Sequence, residues 1–284
     1  MKASTVQYID CAIRRDECRD QNYNTDSPDI PGFCAVGRII AIAPNISDGM
    51  FRVGDRVGTI VHTGGNARFC VQSASKLVKI SEEENAHDAC GLLSTYMAAF
   101  ACLRHTTPKS DRYEMDCLDG QTVFVNGGMS AVGQAIINLS QHLGAIKVYA
   151  TGKEKDFHHL EGLGADPILL GKQIIDHKLK VDVIIDCTSF DILDYLLSLK
   201  KESGRLVYYR HGDISMDGHH GWRTYLPTLL LKFRLMISSQ NDSFCDPVQD
   251  IFLDRFDVFK VSLYSLLSTL CKLEMDKFFD VDIF

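Results

Sequence analysis

The sequence has no run of apolar residues long enough to cross a bilayer. Its start, MKASTVQYID, lacks the apolar core of a secretory leader. Basic charge is not in excess: the net charge is -7, and binding to a phosphate backbone wants a basic face. A soluble, cytoplasmic protein without a nucleic-acid partner is expected. Ten cysteines are present, yet none forms a C-x-x-C pair, so the short paired spacing of zinc ligands is missing. Scattered thiols serve as small buried hydrophobes. A chain of 284 residues buries a core that needs neither disulfide nor metal. No internal repeat and no low-complexity tract interrupts it.

What is present is ordinary globular composition, 45% hydrophobic and 24% charged. Its length suits two domains. To about residue 105 the chain alternates in short runs. VGRIIAIAP and RVGTIVH are rich in Val and Ile and punctuated by Gly, Pro and Asp, which predicts strands and tight turns. Residues 84–104, dominated by Ala, Leu and Met, predict a helix. HTTPKSDRYEMDCLDG is polar and aperiodic, hence a linker.

Beyond the linker, strands and helices alternate. TVFVNG, IKVYATG, VDVIIDC and RLVYYRHG read as strands. VGQAIINLSQHLG, EKDFHHLEGLG and DILDYLLSLKKESG read as helices, closed by Gly144, Gly164 and Gly204, since glycine enters left-handed geometry cheaply. The alternation implies an α/β fold with a parallel, doubly wound sheet. Farther on, LPTLLLKFRLMISSQ reads as a helix then a strand, and VFKVSLYSLLSTLCKL as an amphipathic helix. The domain reading is 1–105, 106–245 and a C-terminal segment 246–284.

The stretch VFVNGGMSAVG joins the first of these strands to its helix. A helix N-terminus presents unpaired N–H groups and partial positive charge, and a phosphate is its natural guest. Gly127, Gly128, Met129, Ser130, Ala131, Val132 and Gly133 occupy the turn, with serine where the dinucleotide fingerprint G-x-G-x-x-G has its middle glycine. The same turn would also serve as a strand–helix corner without a ligand.

NAD-binding chains place Asp or Glu at the second strand's tip to hold the ribose hydroxyls. This chain has Thr151, Gly152, Lys153, Glu154 and Lys155 there. The two lysines favour the 2′-phosphate of NADP; solvating a helix start is the alternative. Cys187 and Thr188, after VDVIID, and Tyr208 and Arg210, ending the next strand, lie at carboxyl ends of parallel strands, which face the ligand crevice. Each is equally open to a packing role.

PGFCAVGRIIAIAPNISDGMFRVGDRVG and GQTVFVNGGMSAVGQAIINLSQHLGAIKVYATG resemble the glycine-rich β segment and the cofactor segment of the medium-chain dehydrogenases/reductases. LEGLGADPIL, VDVIIDC and SGRLVYYRHG follow in that family's order. The resemblance runs from about residue 5 to about residue 270. It is strongest to the zinc-independent quinone oxidoreductases and trans-acting enoyl reductases. It implies a GroES-like β domain beside a Rossmann domain, an NADP (NADPH) cofactor and a homodimer; RLMISSQ is the candidate pairing strand, with an ordinary buried strand as the alternative. The substrate would be an enone, enoyl thioester or quinone. Gly32-Phe33-Cys34 stands where zinc members carry Gly-His-Glu, so no metal is expected.

The resemblance also assigns individual roles. Tyr23, upstream of the I-P-G turn, is the candidate proton donor or oxyanion stabiliser; it could also be a surface-loop tyrosine. Ser94 and Thr95 lie where the family has a threonine near the nicotinamide, and a helix hydroxyl bonded to its own backbone is the alternative. Arg14-Arg15 replaces an Asn-Pro before Asp16. His62, His219 and His220 receive no catalytic role. Compared with the family, the β domain's opening hairpin and the closing strands are expected to be missing. The rival to an NADPH-dependent reductase is a catalytically weak NADP-binding protein acting in redox sensing or scaffolding.

Overall fold

The computed structural model describes residues 1–7, 10–11, 14, 30–44, 49–61, 64–106, 118–169, 179–188, 192–209 and 243–245. Tyr23, Asp16, His62, Arg210, His219, His220, RLMISSQ, LPTLLLKF and VFKVSLYSLLSTLCKL lie outside the described residues. The chain divides into two units, Met1–Met97 with Leu253–Phe284, and Ala98–Phe252.

In the first unit an antiparallel sheet runs in chain order: β1 (Ala3–Ser4), β2 (Cys34–Arg38), β3 (Arg56–Ile60) and β4 (Leu77–Lys79). Every residue of β3 is buried, so its Val and Ile run packs on both faces. β1 is two residues long, and the chain then turns. The Cys11 N–H donates to the Gln7 carbonyl at 3.3 Å, a helical turn. Asp10 fixes that turn, its carboxylate accepting from the N–H groups of Gln7 at 2.7 Å and Gly32 at 2.6 Å. The expected helix appears as α1 (Ala86–His105).

The second unit carries an all-parallel six-stranded sheet. Its strands are β5 (Thr122–Asn126), β6 (Lys147–Gly152), β7 (Asp166–Leu169), β8 (Val181–Asp186), β9 (Lys200–Tyr209) and β10 (Ser243–Cys245). The order across the sheet is β10-β9-β8-β5-β6-β7. Counted from β5, that is 3-2-1-4-5-6 read from the β7 edge, the dinucleotide-binding arrangement, with its switch point between β5 and β8. The helices are α2 (Ala131–His142), α3 (Phe157–Gly162) and α4 (Leu193–Leu199). Phe124, Val181, Ile184, Leu196, Leu199 and Leu206 pack into one buried cluster.

Gly144 and Gly164 close α2 and α3 with φ of +88° and +87°. Gly204 does not close α4. The helix stops at Leu199, and Lys200 to Gly204 belong to β9, which the sequence reading began only at Arg205. Lys201 explains the difference: its ammonium holds both oxygens of Asp182 on β8 at 2.8 Å, tying this stretch to the sheet. The Asp182 carboxylate also accepts from the N–H of Thr122, which starts β5.

Candidate functional site

The carboxyl ends of β5, β6 and β8 meet at the switch point. Val125 pairs with Ala150, and Asn126 lies opposite Asp186. The stretch 127–130 then turns from β5 into α2. Gly127 has φ +86°, a left-handed conformation that suits glycine. A side chain there would meet the Thr188 methyl at 2.6 Å. Gly133 has no room for a Cβ, which would run into the Gly127 carbonyl. Gly128 is held from behind, its N–H donating to the Thr151 carbonyl at 3.1 Å.

Ser130 is the N-cap of α2. Its hydroxyl donates to the Gly127 carbonyl at 2.8 Å and accepts from the Gly133 N–H at 3.0 Å. Serine in place of the fingerprint's middle glycine therefore closes the turn instead of clearing space. The Ser130 N–H also goes to the Gly127 carbonyl, at 3.0 Å. The N–H groups of Ala131 and Val132, next in the helix, have no partner among the described residues. The first turn of α2 carries no acidic residue. An exposed helix mouth with unpaired donors and uncompensated positive potential suits an anion. Met129 is half-buried, and its carbonyl accepts from the Gln134 side chain at 3.1 Å.

Behind the turn lies a buried polar network that sequence reasoning did not single out. Asn126 and Asp186 are its centre, 1% exposed in the case of Asp186. The Asn126 amide donates to Asp186 at 2.8 Å and to the Thr188 hydroxyl at 2.7 Å. Thr151 donates to the Asn126 carbonyl oxygen at 2.8 Å and accepts from the Gly127 N–H at 2.8 Å. Burial pushes the Asp186 carboxyl above the ordinary carboxylate value, against hydrogen bonds from Thr188 and Asn126 that favour the charged form. One of its oxygens, Oδ2, is buried with no partner among the described residues. Only the signal of a polar residue ending each of two apolar strands pointed to this pair.

The other predicted residues fall in several places. Thr151 is buried and its hydroxyl is committed to the turn. Lys153 and Lys155 are exposed just beyond β6, in a turn shared with Glu154 and Asp156; the Lys153 N–H donates to Asp156 at 3.2 Å. Cys187 is half-buried, and its N–H donates to the Asn126 carbonyl at 2.9 Å. Thr188 is exposed, with its hydroxyl donating to Asp186 at 2.9 Å. Tyr208 is 2% exposed and packs among Phe124, Leu196 and Leu206, the packing role that its sequence position left open beside ligand contact. Alternation along β9 turns its ring to the helix-covered face. Tyr23 and Arg210 lie outside the described residues.

Ser94 and Thr95 sit on α1. Thr95 is half-buried; Ser94 is buried and its hydroxyl accepts from the Gln7 side-chain amide. The Ser94 hydroxyl also touches the Cys34 thiol, whose pKa burial drives upward. Cys90, nearby on α1, is pushed by burial up to about 11. Phe33 is buried beside Cys34 and offers no ligand atom. Among the described residues no group of three or more His, Cys, Asp or Glu gathers that could hold a metal. Among the same residues no helix is long and apolar enough to cross a membrane.

Known proteins share this architecture. Residues 1–109 match the alcohol dehydrogenase GroES-like domain. A polyketide synthase, GfsB of Streptomyces halstedii, is 27% identical over 184 residues, covering 63% of this chain and 3% of its own length. A zinc-type alcohol dehydrogenase-like protein of Staphylococcus aureus (strain COL), SACOL2177, is 25% identical over 191 residues, 64% of this chain and 56% of its own. The chain thus spans little more than half the length of one curated relative and a small fraction of the other.

Among solved structures, the CurK enoyl reductase aligns with a TM-score of 0.66 at 19% identity, covering 89% of this chain and 71% of that one. The quinone oxidoreductase of Coxiella burnetii gives 0.67 at 17%, covering 95% and 78%. Mycobacterial Rv1454c, solved with NADPH, gives 0.67 at 20%, covering 95% and 79%. Residues 1–109 match the alcohol dehydrogenase GroES-like domain, and the chain shares the fold of these enoyl reductase and quinone oxidoreductase structures.

Proposed function

We propose that this chain is an NADPH-dependent, zinc-independent oxidoreductase that reduces an activated C=C bond or a quinone. The observation that carries the proposal is the mouth of α2 at the sheet's switch point. There the Ala131 and Val132 N–H groups lack partners among the described residues and no acid stands in the first turn. These amides would take the pyrophosphate. Lys153 and Lys155, exposed beyond β6, would attract the 2′-phosphate, and Cys187 and Thr188 would border the nicotinamide half. The NADPH bound in the mycobacterial relative supports the nicotinamide reading.

The bound nicotinamide supplies a hydride. The chain's task is then to orient an enone, enoyl thioester or quinone and to manage the charge that builds on its carbonyl oxygen. Tyr23 is proposed as the group that donates a hydrogen bond or proton to that oxygen. Ser94, whose hydroxyl accepts from the Gln7 amide, and Thr95 are the hydroxyls proposed for the carboxamide. A homodimer is proposed as the working assembly.

A second reading, NADP binding without turnover in a redox-sensing or scaffolding role, is favoured by Arg14-Arg15 where the related reductases carry Asn-Pro. Oxidation of NADPH, followed by its absorbance against a panel of quinones and enoyl thioesters, separates the two. Consumption with any acceptor supports the reductase. Binding of NADPH with no consumption across the panel supports the second reading.

A further inference from the structure

The hydrogen bonds behind the turn have a fixed direction, set by proton counting. An ionised carboxylate only accepts. Asp186 Oδ1 takes the Thr188 N–H at 3.0 Å and the Thr188 hydroxyl at 2.9 Å, and it takes Asn126 Nδ2 at 2.8 Å. With its NH2 side turned to Asp186, Asn126 must present its oxygen to Thr151. The Thr151 hydroxyl has one proton and donates it to that oxygen at 2.8 Å. What remains on Thr151 is a lone pair, which accepts the Gly127 N–H at 2.8 Å. The Gly127 carbonyl in turn accepts the Ser130 hydroxyl, whose lone pair caps Gly133. Four links connect a buried acid on β8 to the N-cap of α2, crossing β5 and β6 on the way, and a fifth caps Gly133.

We propose that Asp186, Asn126 and Thr151 form a relay of fixed polarity that holds the phosphate-binding turn open, making Asp186 a positioning residue for the dinucleotide. The proposal rests on the cofactor reading above. It has a direct consequence for contacts. The protons of Thr151 and Ser130 are spent inside the protein, so neither hydroxyl donates to the phosphates; the backbone amides of Ala131 and Val132 do. Asp186 acts only through the relay and touches no reacting atom.

Replacing the carboxylate at its origin weakens the relay. In Asp186→Asn, the new NH2 either occupies the buried, partnerless place of Oδ2 or turns towards the Asn126 NH2, donor against donor. Thr151→Val keeps the shape of a buried residue and removes both hydrogen bonds, whereas Thr151→Ser keeps them. The test is NADPH affinity of the full chain, by calorimetry well below the melting temperature, with folding checked by circular dichroism. Thr151→Val and Asp186→Asn should each weaken binding about tenfold, a loss of the size that one buried polar contact supports. Thr151→Ser should bind within about twofold of wild type, far inside the tenfold step that separates a made from a lost contact.

The double variant Asp186→Asn/Thr151→Val gives the readout that a merely structural role would not move. Residues acting through one chain lose no more together than the worse single variant, whereas independent defects multiply. Wild-type binding with Thr151→Val unaffected, with Thr151→Ser as weak as Thr151→Val, or with multiplying losses overturns the relay and leaves the cofactor reading intact. Wild type that binds neither NADPH nor NADH overturns both.

Discussion

At the scale of single residues, the turn depends on one hydroxyl and two missing Cβ atoms. Ser130→Ala removes the α2 cap and should cost about 1 kcal/mol of unfolding free energy in a denaturant titration, and Ser130→Gly only a few tenths. Gly133→Ala must displace the Gly127 carbonyl, so it should lower both the melting temperature and NADPH affinity. Asp186 gives a prediction in pH. Its native pKa is raised by burial, so the folded chain takes up a proton at a pH where the unfolded chain does not. The cost of burying its charge is present in full above the raised native pKa and absent below the ordinary carboxylate value. Wild type should therefore gain stability relative to Asp186→Asn as pH falls through that window. The glycines of the turn were legible in the sequence because their spacing is local. Asn126 and Asp186 were not, because sixty residues separate them and only the parallel register sets them side by side. For Tyr208 the sequence left packing and ligand contact both open, because being at a strand's end does not say which face its ring takes.

At the scale of elements, alternating strands and helices in the second half announced the parallel sheet, since each apolar run was bounded by glycine or charge. The failures have identifiable causes. β7 escaped notice because Pro167 sits inside it, and proline is tolerated there only because β7 is an edge strand. The end of α4 was overrun because Lys200 to Gly204 suit a helix C-terminus as well as they suit a strand; the choice is made by Asp182, across the sheet. Asp182→Asn loosens that clamp. Lys201 is part-exposed, so the loss should be no more than about 1 kcal/mol. The Asp182 pKa is lowered overall: desolvation raises it, and Lys201 together with the Thr122 N–H outweighs that. The clamp's contribution is thus present above the ordinary carboxylate value and fades as pH falls through the lowered native one. Leu196, fully buried in the cluster with Phe124, is the stronger lever: Leu196→Ala should cost about 2–5 kcal/mol, read by thermal or denaturant unfolding.

At the scale of the whole molecule, the proposed function requires one nicotinamide dinucleotide at the switch point of the six-stranded sheet. A ligand that binds only the folded chain stabilises it, by about 2.7 kcal/mol at a hundredfold excess over its Kd. NADPH should therefore raise the melting temperature. Lys153→Glu with Lys155→Glu should erase the preference for NADPH over NADH without abolishing NADH binding. Neither result depends on the identity of the substrate. The decisive measurement is a calorimetric titration of the full chain with NADPH and, separately, with NADH. The account predicts saturable binding at one site per chain, tighter for NADPH and weakened in Gly133→Ala. Heats indistinguishable from dilution for both nucleotides, with a folded protein in the cell, would contradict it.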